Sequence, residues 1–216
     1  MALNLKETPF LQREFFILTR IAKCCILYSS KKVVRKMKNV LILSGSPRKG
    51  GNSDVLCDKF AEGAIAAGHS VEKICVAEKK IHPCLGCYYC KEHGGECVYK
   101  DGMAEILQKI IDCDVLVLSS PVYFYSVCAQ LKAVIDRCVA RWTEIGNKDL
   151  YYITTAAEEE DDTMDGTIAC FHGFAMCIDG YDEKGTLYGR GLSDKGDVLS
   201  HPEYLTIAYE MGNSIR

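Results

Sequence analysis

Three stretches of this sequence carry residues whose types and spacing could do chemistry. The first is Cys84-x2-Cys87-x2-Cys90-x6-Cys97, three thiols within seven residues and a fourth close behind. Thiolates are soft metal donors, and C-x2-C-x2-C with one further cysteine is the ferredoxin pattern for an iron–sulfur cluster. The first three spacings match that pattern; the fourth does not, and no Cys-Pro follows. A tetrahedral zinc site would use two C-x2-C pairs separated by a longer loop, which is not seen here. A redox pair such as Cys84–Cys87 stays open beside the cluster. So do unliganded thiols in a loop shaped by Pro83, Gly86, Gly94 and Gly95. His82 and His93 flank the motif and read as surface residues of a polar loop.

The second stretch is Ser44-Gly45-Ser46-Pro47-Arg48-Lys49-Gly50-Gly51-Asn52-Ser53, between an apolar run and a helical pattern. A helix N-terminus presents unpaired N–H groups and partial positive charge, which suits a phosphate monoester. Ser44, Ser46, Asn52 and Ser53 can add side-chain hydrogen bonds, and Arg48 can pair with phosphate charge. The competing reading is a polar connection with Asn52 or Ser53 as N-cap. G-x-x-x-x-G-K-[ST] is absent, which disfavours an NTPase, and G-x-G-x-x-G is absent after the first strand, which disfavours a dinucleotide-type domain.

The third stretch is Ser119-Ser120-Pro121-Val122-Tyr123-Phe124-Tyr125-Ser126. A Pro-started aromatic loop can give a flat ring both a stacking surface and backbone hydrogen bonds. Two of the rings of Tyr123, Phe124 and Tyr125 are expected to pack inward. Further on, Thr154-Thr155-Ala156-Ala157 are small enough to let backbone approach a ligand. The acidic run 158–162 reads as a solvated loop or lid rather than a metal site.

These stretches need elements to position them, and from residue 39 strands and helices alternate. Asn39–Leu43 is a continuous apolar run, as expected of a parallel strand covered on both faces. A helix is predicted over 53–67, stopped by Gly68, then a strand over 70–76 and a Cys/Gly-rich loop to about residue 102. A helix over 103–111, a strand over 114–119 and a helix over 129–140 follow. The rest reads as a strand over 150–155, a helix over 163–178, a short strand over 185–188 and a closing helix over 202–215 with Pro202 in its first turn. Five strands alternating with helices imply a doubly wound parallel sheet in three α/β/α layers. Such sheets bind ligands at the carboxyl ends of their strands near the switch in strand order. The functional loops should therefore follow the first, third and fourth strands.

Composition bounds the partners. The chain has 216 residues, 48% of them hydrophobic, enough for a sizeable core. Residues 1–36 hold eight Lys/Arg against Glu7 and Glu14, a net +6; the remainder holds 18 basic and 27 acidic residues, a net −9. An acidic body argues against nucleic-acid binding, which needs a basic face. The segment FFILTRIAKCCILY is too short and too charged to span a bilayer, so stable membrane insertion is not expected. Residues 1–36 read as an extension outside the fold, with translation expected to start at Met37. Thirteen cysteines, an odd number mostly within apolar segments, fit a reducing cytoplasm.

LILSGSPRKGGNS followed by SSPVYFYSVCAQLKAVIDR resembles the NADPH-dependent FMN reductase family of flavodoxin-like proteins, from about Met37 to the C-terminus, including GTLYGRGLSDKGDV. The resemblance implies FMN as cofactor and NAD(P)H as electron donor. It assigns Ser44, Ser46, Arg48, Asn52 and Ser53 to the FMN phosphate, Pro121, Val122, Tyr123 and Phe124 to the isoalloxazine, and Thr155 and Ala156 to the ring's other edge. Tyr125 departs from the family, many members of which carry a small residue there. The flavin would carry the hydride chemistry, so no catalytic side chain is expected. Within the family the cysteine motif resembles the iron–sulfur flavoproteins, which implies Cys84, Cys87, Cys90 and Cys97 as ligands of a 4Fe–4S cluster and a ferredoxin-like partner in place of a small-molecule acceptor. A homodimer or homotetramer is implied as well.

Overall fold

The computed structural model describes residues 36–216. The expectations for residues 1–36 therefore fall almost wholly outside the described residues. The chain runs β1 (Asn39–Ser44), α1 (Asn52–Ala66), β2 (Ser70–Cys75), a one-turn helix α2 (Tyr89–Glu92), α3 (Met103–Asp112), β3 (Val115–Tyr123) and β4 (Ser126–Val127). It continues through α4 (Ala129–Arg137), β5 (Asp149–Thr155), α5 (Asp165–Ala175), β6 (Asp182–Gly189) and α6 (Pro202–Asn213).

Five strands pair in parallel in the order β2-β1-β3-β5-β6, the flavodoxin-like doubly wound arrangement. Alternation along each strand sends side chains to two separate cores. Leu41, Leu43, Leu116, Leu118, Leu150 and Tyr152 face the layer of α3, α4 and α5. Val40, Ile42, Val115, Val117, Tyr151 and Ile153 face α1 and α6. Both faces are thus apolar, which is why β1, β3 and β5 read as unbroken hydrophobic runs.

The helices α1 and α6 touch backbone to backbone. A Cβ at Gly63 would lie 2.0 Å from the Tyr209 carbonyl oxygen, and one at Gly212 would lie 2.0 Å from that of Phe60. Only glycine permits this approach from both sides. Among the described residues, no helix is long and apolar enough to cross a membrane.

Two elements differ from the sequence expectation for physical reasons. The strand expected to end at Ser119 continues to Tyr123, because β4 folds back and pairs antiparallel with it, Val122 against Val127 and Tyr123 against Ser126. The helix expected over 163–178 is regular only over Asp165–Ala175, with a 3-10 turn at Asp161–Met164 before it.

Candidate functional site

The order of strands reverses between β1 and β3, and the loops after β1, β3 and β5 meet there. The loop from β1 is anchored first: Gly45 N–H donates to the Ser119 carbonyl at 2.8 Å, and the Cys128 thiol donates to the Gly45 carbonyl at 3.1 Å. Ser120 Oγ accepts Cys128 N–H at 2.9 Å. The loop ends in α1, whose first intrahelical bond runs from Val55 N–H to the Gly51 carbonyl. The N–H groups of Asn52, Ser53 and Asp54 have no partner within the helix, which gives this end its anion-binding capacity.

A cavity of about 520 Å³ opens above this helix end. Its size lies within the roughly 300–1,000 Å³ of small-molecule sites. Ser46, Arg48, Asn52, Ser53, Pro121, Val122, Tyr123, Phe124, Thr155 and Ala156 all line it. Ala157, read in the sequence as small enough for backbone approach, lines it too, and so do Gly51, Tyr125, Glu158, Thr163, Leu192 and Ser193, which had no ligand contact assigned from the sequence. Leu192 and Ser193 arrive from the far end of the chain. The only sequence signal for them was that their segment, GTLYGRGLSDKGDV, took part in the family resemblance.

Individual side chains depart from the roles read in the sequence. Ser44 does not line the cavity: it shares a strand face with Val40 and Ile42, and its hydroxyl donates to Asp54 Oδ1 at 3.1 Å beneath the loop. The Asn52 side chain is consumed elsewhere. Its Nδ2 donates to the carbonyls of Leu192 (3.2 Å) and Asp194 (2.8 Å), and its Oδ1 accepts N–H from Gly196 (3.1 Å) and Val198 (3.3 Å). Asn52 therefore ties the loop after β6 to the site. Ser46 Oγ accepts Arg48 N–H at 3.2 Å, and Arg48 Nη1 reaches the Ser193 carbonyl at 3.3 Å.

Asp54 is the support behind the loop. It accepts from Gly50 N–H at 2.9 Å and from Lys73 Nζ at 3.0 Å, besides Ser44. Burial works against its charge, but Gly50, Lys73 and Ser44 together hold the carboxyl below its usual range. Lys73, buried partly and shared with Asp58, is held above the ordinary lysine range by the two carboxylates.

The aromatic loop turns outward, contrary to the expectation that two rings pack inward. Phe124 is fully exposed, and Tyr123 and Tyr125 are exposed as well. The cause is the hairpin: Phe124 and Tyr125 are the two linking residues between paired Tyr123 and Ser126, and both have positive φ, 49° and 58°. That is the type I′ geometry, which aromatic residues adopt only under strain. The first turn of α5 braces it from below, since a Cβ at Gly166 would lie 2.1 Å from the Tyr125 carbonyl oxygen.

The four loop cysteines meet at a second cavity, of about 390 Å³, lined by Cys84, Cys87, Cys90 and Cys97. Cys84 and Cys87 are exposed, and Gly86 N–H lies 3.4 Å from Cys84 Sγ. Among the described residues, no three His, Cys, Asp or Glu side chains are gathered to hold a metal ion. Three of the other thiols differ in kind. Burial pushes those of Cys57, Cys113 and Cys138 up to about 12, leaving them unreactive packing groups. The acidic run Glu158–Asp162 is exposed, as a solvated loop should be.

Residues 38–161, with both the phosphate-type loop and the aromatic turn, match the NADPH-dependent FMN reductase family. The chain belongs to that family. An iron-sulfur flavoprotein of Methanocaldococcus jannaschii is 43% identical over 98 residues, 45% of this chain and 50% of that protein. An iron-sulfur flavoprotein of Archaeoglobus fulgidus is 44% identical over 101 residues, 47% of this chain and 45% of that protein. The chain thus spans about half the length of the curated relatives it matches. An azoreductase from Bacillus anthracis shares the fold, with a TM-score of 0.67 at 14% identity over 83% of this chain and 100% of that one.

Proposed function

We propose that this chain binds FMN in the cavity at the carboxyl ends of β1, β3 and β5, and passes electrons from NADH or NADPH to a small-molecule or protein acceptor. One observation carries the reading: a helix N-terminus, whose first amides have no acceptor within the helix, and an outward aromatic turn line the same cavity. Ser46, Arg48 and the backbone N–H groups of Asn52 and Ser53 would hold the phosphate. Pro121, Val122, Tyr123 and Phe124 would line the flat ring, with Thr155 and Ala156 at its other edge. Ser44 and the Asn52 side chain would act behind them, through Asp54 and the 192–198 loop. Bound FMN would supply hydride acceptance and release of electrons singly or in pairs, so no side chain is assigned as catalytic acid or base. The protein's part is to orient the donor and exclude water.

The cysteine loop favours a second redox group in the same chain. Four thiols lining one cavity would supply the four thiolates that a 4Fe–4S cluster takes. With such a cluster the acceptor would be a one-electron, ferredoxin-like protein. The free thiols suit a reducing cytoplasm. A homodimer or homotetramer would cover the exposed aromatic turn.

The test is the visible spectrum of protein purified without oxygen, before and after NADPH. Flavin bands that bleach with NADPH are expected. A broad brown absorbance beneath them, with iron and acid-labile sulfide, would establish the second group. A protein that stays colourless after FMN is added overturns the reading.

A further inference from the structure

The cysteine loop enters and leaves the fold through one small cluster. Asp101 Oδ2 accepts the His82 N–H and Arg137 Nη1, both at 3.0 Å. Asp101 Oδ1 accepts Arg137 Nη2 and the Met103 N–H, both at 3.1 Å. Arg137 Nη1 also donates to the His82 carbonyl at 2.9 Å. One ion pair therefore grips His82, two residues before Cys84, by both its backbone N–H and its carbonyl. The His82 ring stacks on Tyr99, two residues after Cys97, with centroids 4.6 Å apart. The Arg137 guanidinium lies 5.5 Å from the centre of the same Tyr99 ring.

The pair is withdrawn from water, with side chains 3% (Arg137) and 11% (Asp101) exposed. A buried pair is a weak source of net stability, because desolvation offsets most of its attraction. What this one supplies is a single geometry at the neck of a loop whose other hydrogen bonds and ring contacts lie mostly within its own 88–96 turn. Between residues 80 and 88 there is no helix or strand, and Cys84 through Tyr88 are exposed. Arg137 and Tyr99 line the cavity of the four cysteines, so the clasp forms part of its wall.

We propose that Asp101 and Arg137 are positioning residues for the four-cysteine cavity: their ion pair closes the loop at its neck and holds Cys84 and Cys97 where a thiolate-bound iron–sulfur cluster needs them. The proposal rests on the cluster reading above. Neither residue needs to bond the cluster. Both act through the backbone of His82, and Arg137 also through the ring of Tyr99, as outer-layer groups orient metal ligands elsewhere.

The experiment compares the full wild-type chain with Asp101→Asn and Arg137→Lys. Both changes are close in shape and remove the two-pronged pair. Each protein is reconstituted without oxygen with ferrous iron and sulfide. Iron and sulfide per chain, the rate of iron loss to a chelator, and FMN content are measured. FMN content reports folding of the sheet, which a general structural defect would lower. Wild type is expected to hold the cluster, and both variants to keep FMN while losing iron on the order of tenfold faster. Arg137→Lys, which keeps the charge on a single donor nitrogen, should be the milder of the two. Variants that keep FMN and release iron at the wild-type rate overturn the clasp and leave the cluster reading intact. A wild type that takes up no iron and sulfide overturns the cluster reading and the clasp's role with it. Should Asp101→Asn lose FMN as well, the rate for Arg137→Lys decides.

Discussion

The cavity at the edge of the sheet and the cavity of the cysteine loop are positioned by different means. The first is framed by the ends of β1, β3 and β5, and most of what it offers is backbone: helix N–H groups, strand-end carbonyls and a hairpin turn. The second lies between a loop with one turn of helix and the C-terminal end of α4, and a few side chains tie the neck of that loop to the helix. The sheet-edge site should therefore fail through changes that move backbone, and the loop site through changes to single polar groups. Neither failure should spread to the other.

The largest effect expected on this basis is at Gly166. A Cβ there meets the Tyr125 carbonyl at 2.1 Å, so backbone must shift. Gly166→Val should push the turn away from α5. Overpacking of this kind costs about 1–3 kcal/mol; at the upper end FMN affinity would fall roughly a hundredfold. Titration with FMN measures this, and iron and sulfide content should not change. An unchanged FMN affinity, or a joint loss of both groups, breaks the division between the two regions.

Asp54 offers a smaller effect with a pH signature. Asp54→Asn leaves Lys73 to Asp58 alone and loosens Gly50 and Ser44, so stability should fall by about 2 kcal/mol and FMN should bind more weakly. Because Gly50, Lys73 and Ser44 hold the native carboxyl below its ordinary value, its contribution is full above about pH 4, the unfolded-state value, and is lost as pH falls through the lower native value. Lys73 has the opposite sign: its contribution is full below the ordinary lysine value and is lost only as pH rises past its raised native value. Unfolding of wild type and variant across pH should thus give a gap that is widest near neutrality and closes in acid. A gap constant down to pH 3 would show that the Asp54 charge is not what supports the loop.

The comparison also explains what could be read from the sequence. The sheet was legible because β1, β3 and β5 are buried on both faces and leave unbroken apolar runs, and the sheet-edge site followed from knowing where such strands end. Within that site, errors arose where a residue's partner was distant or its face was decided by a turn. Asn52 looked like a ligand-binding amide, yet its partners lie at positions 192–198. Ser44 sits two residues from Ser46 but on the strand face that turns toward α1. The aromatic run read as inward because of its hydrophobicity, whereas hairpin geometry turned it out. In the cysteine loop the four thiols were visible from spacing, but the clasp was not, since Asp101 and Arg137 belong to no local pattern.

The two regions differ, finally, in which residues carry positive φ, and this yields the smallest expected effect. In the cysteine loop three of the positions are glycines, Gly86, Gly94 and Gly95, which adopt it freely, with Lys80 and Tyr88 as the exceptions. In the turn at the sheet edge both positions are aromatic. Strain of about 1–3 kcal/mol per residue is retained there although Asn-Gly would relieve it. Replacing Phe124-Tyr125 by Asn-Gly should raise the stability of the FMN-free protein by about 1–2 kcal/mol, read as a melting temperature higher by several degrees. It should also weaken FMN binding a few-fold, because the ring loses its stacking surface. Opposite movements of the two quantities would identify the strain as the cost of keeping aromatic surface at the cavity mouth. A rise in stability with FMN affinity unchanged would mean that the rings contribute nothing to the flavin site and that their exposure serves a contact outside it.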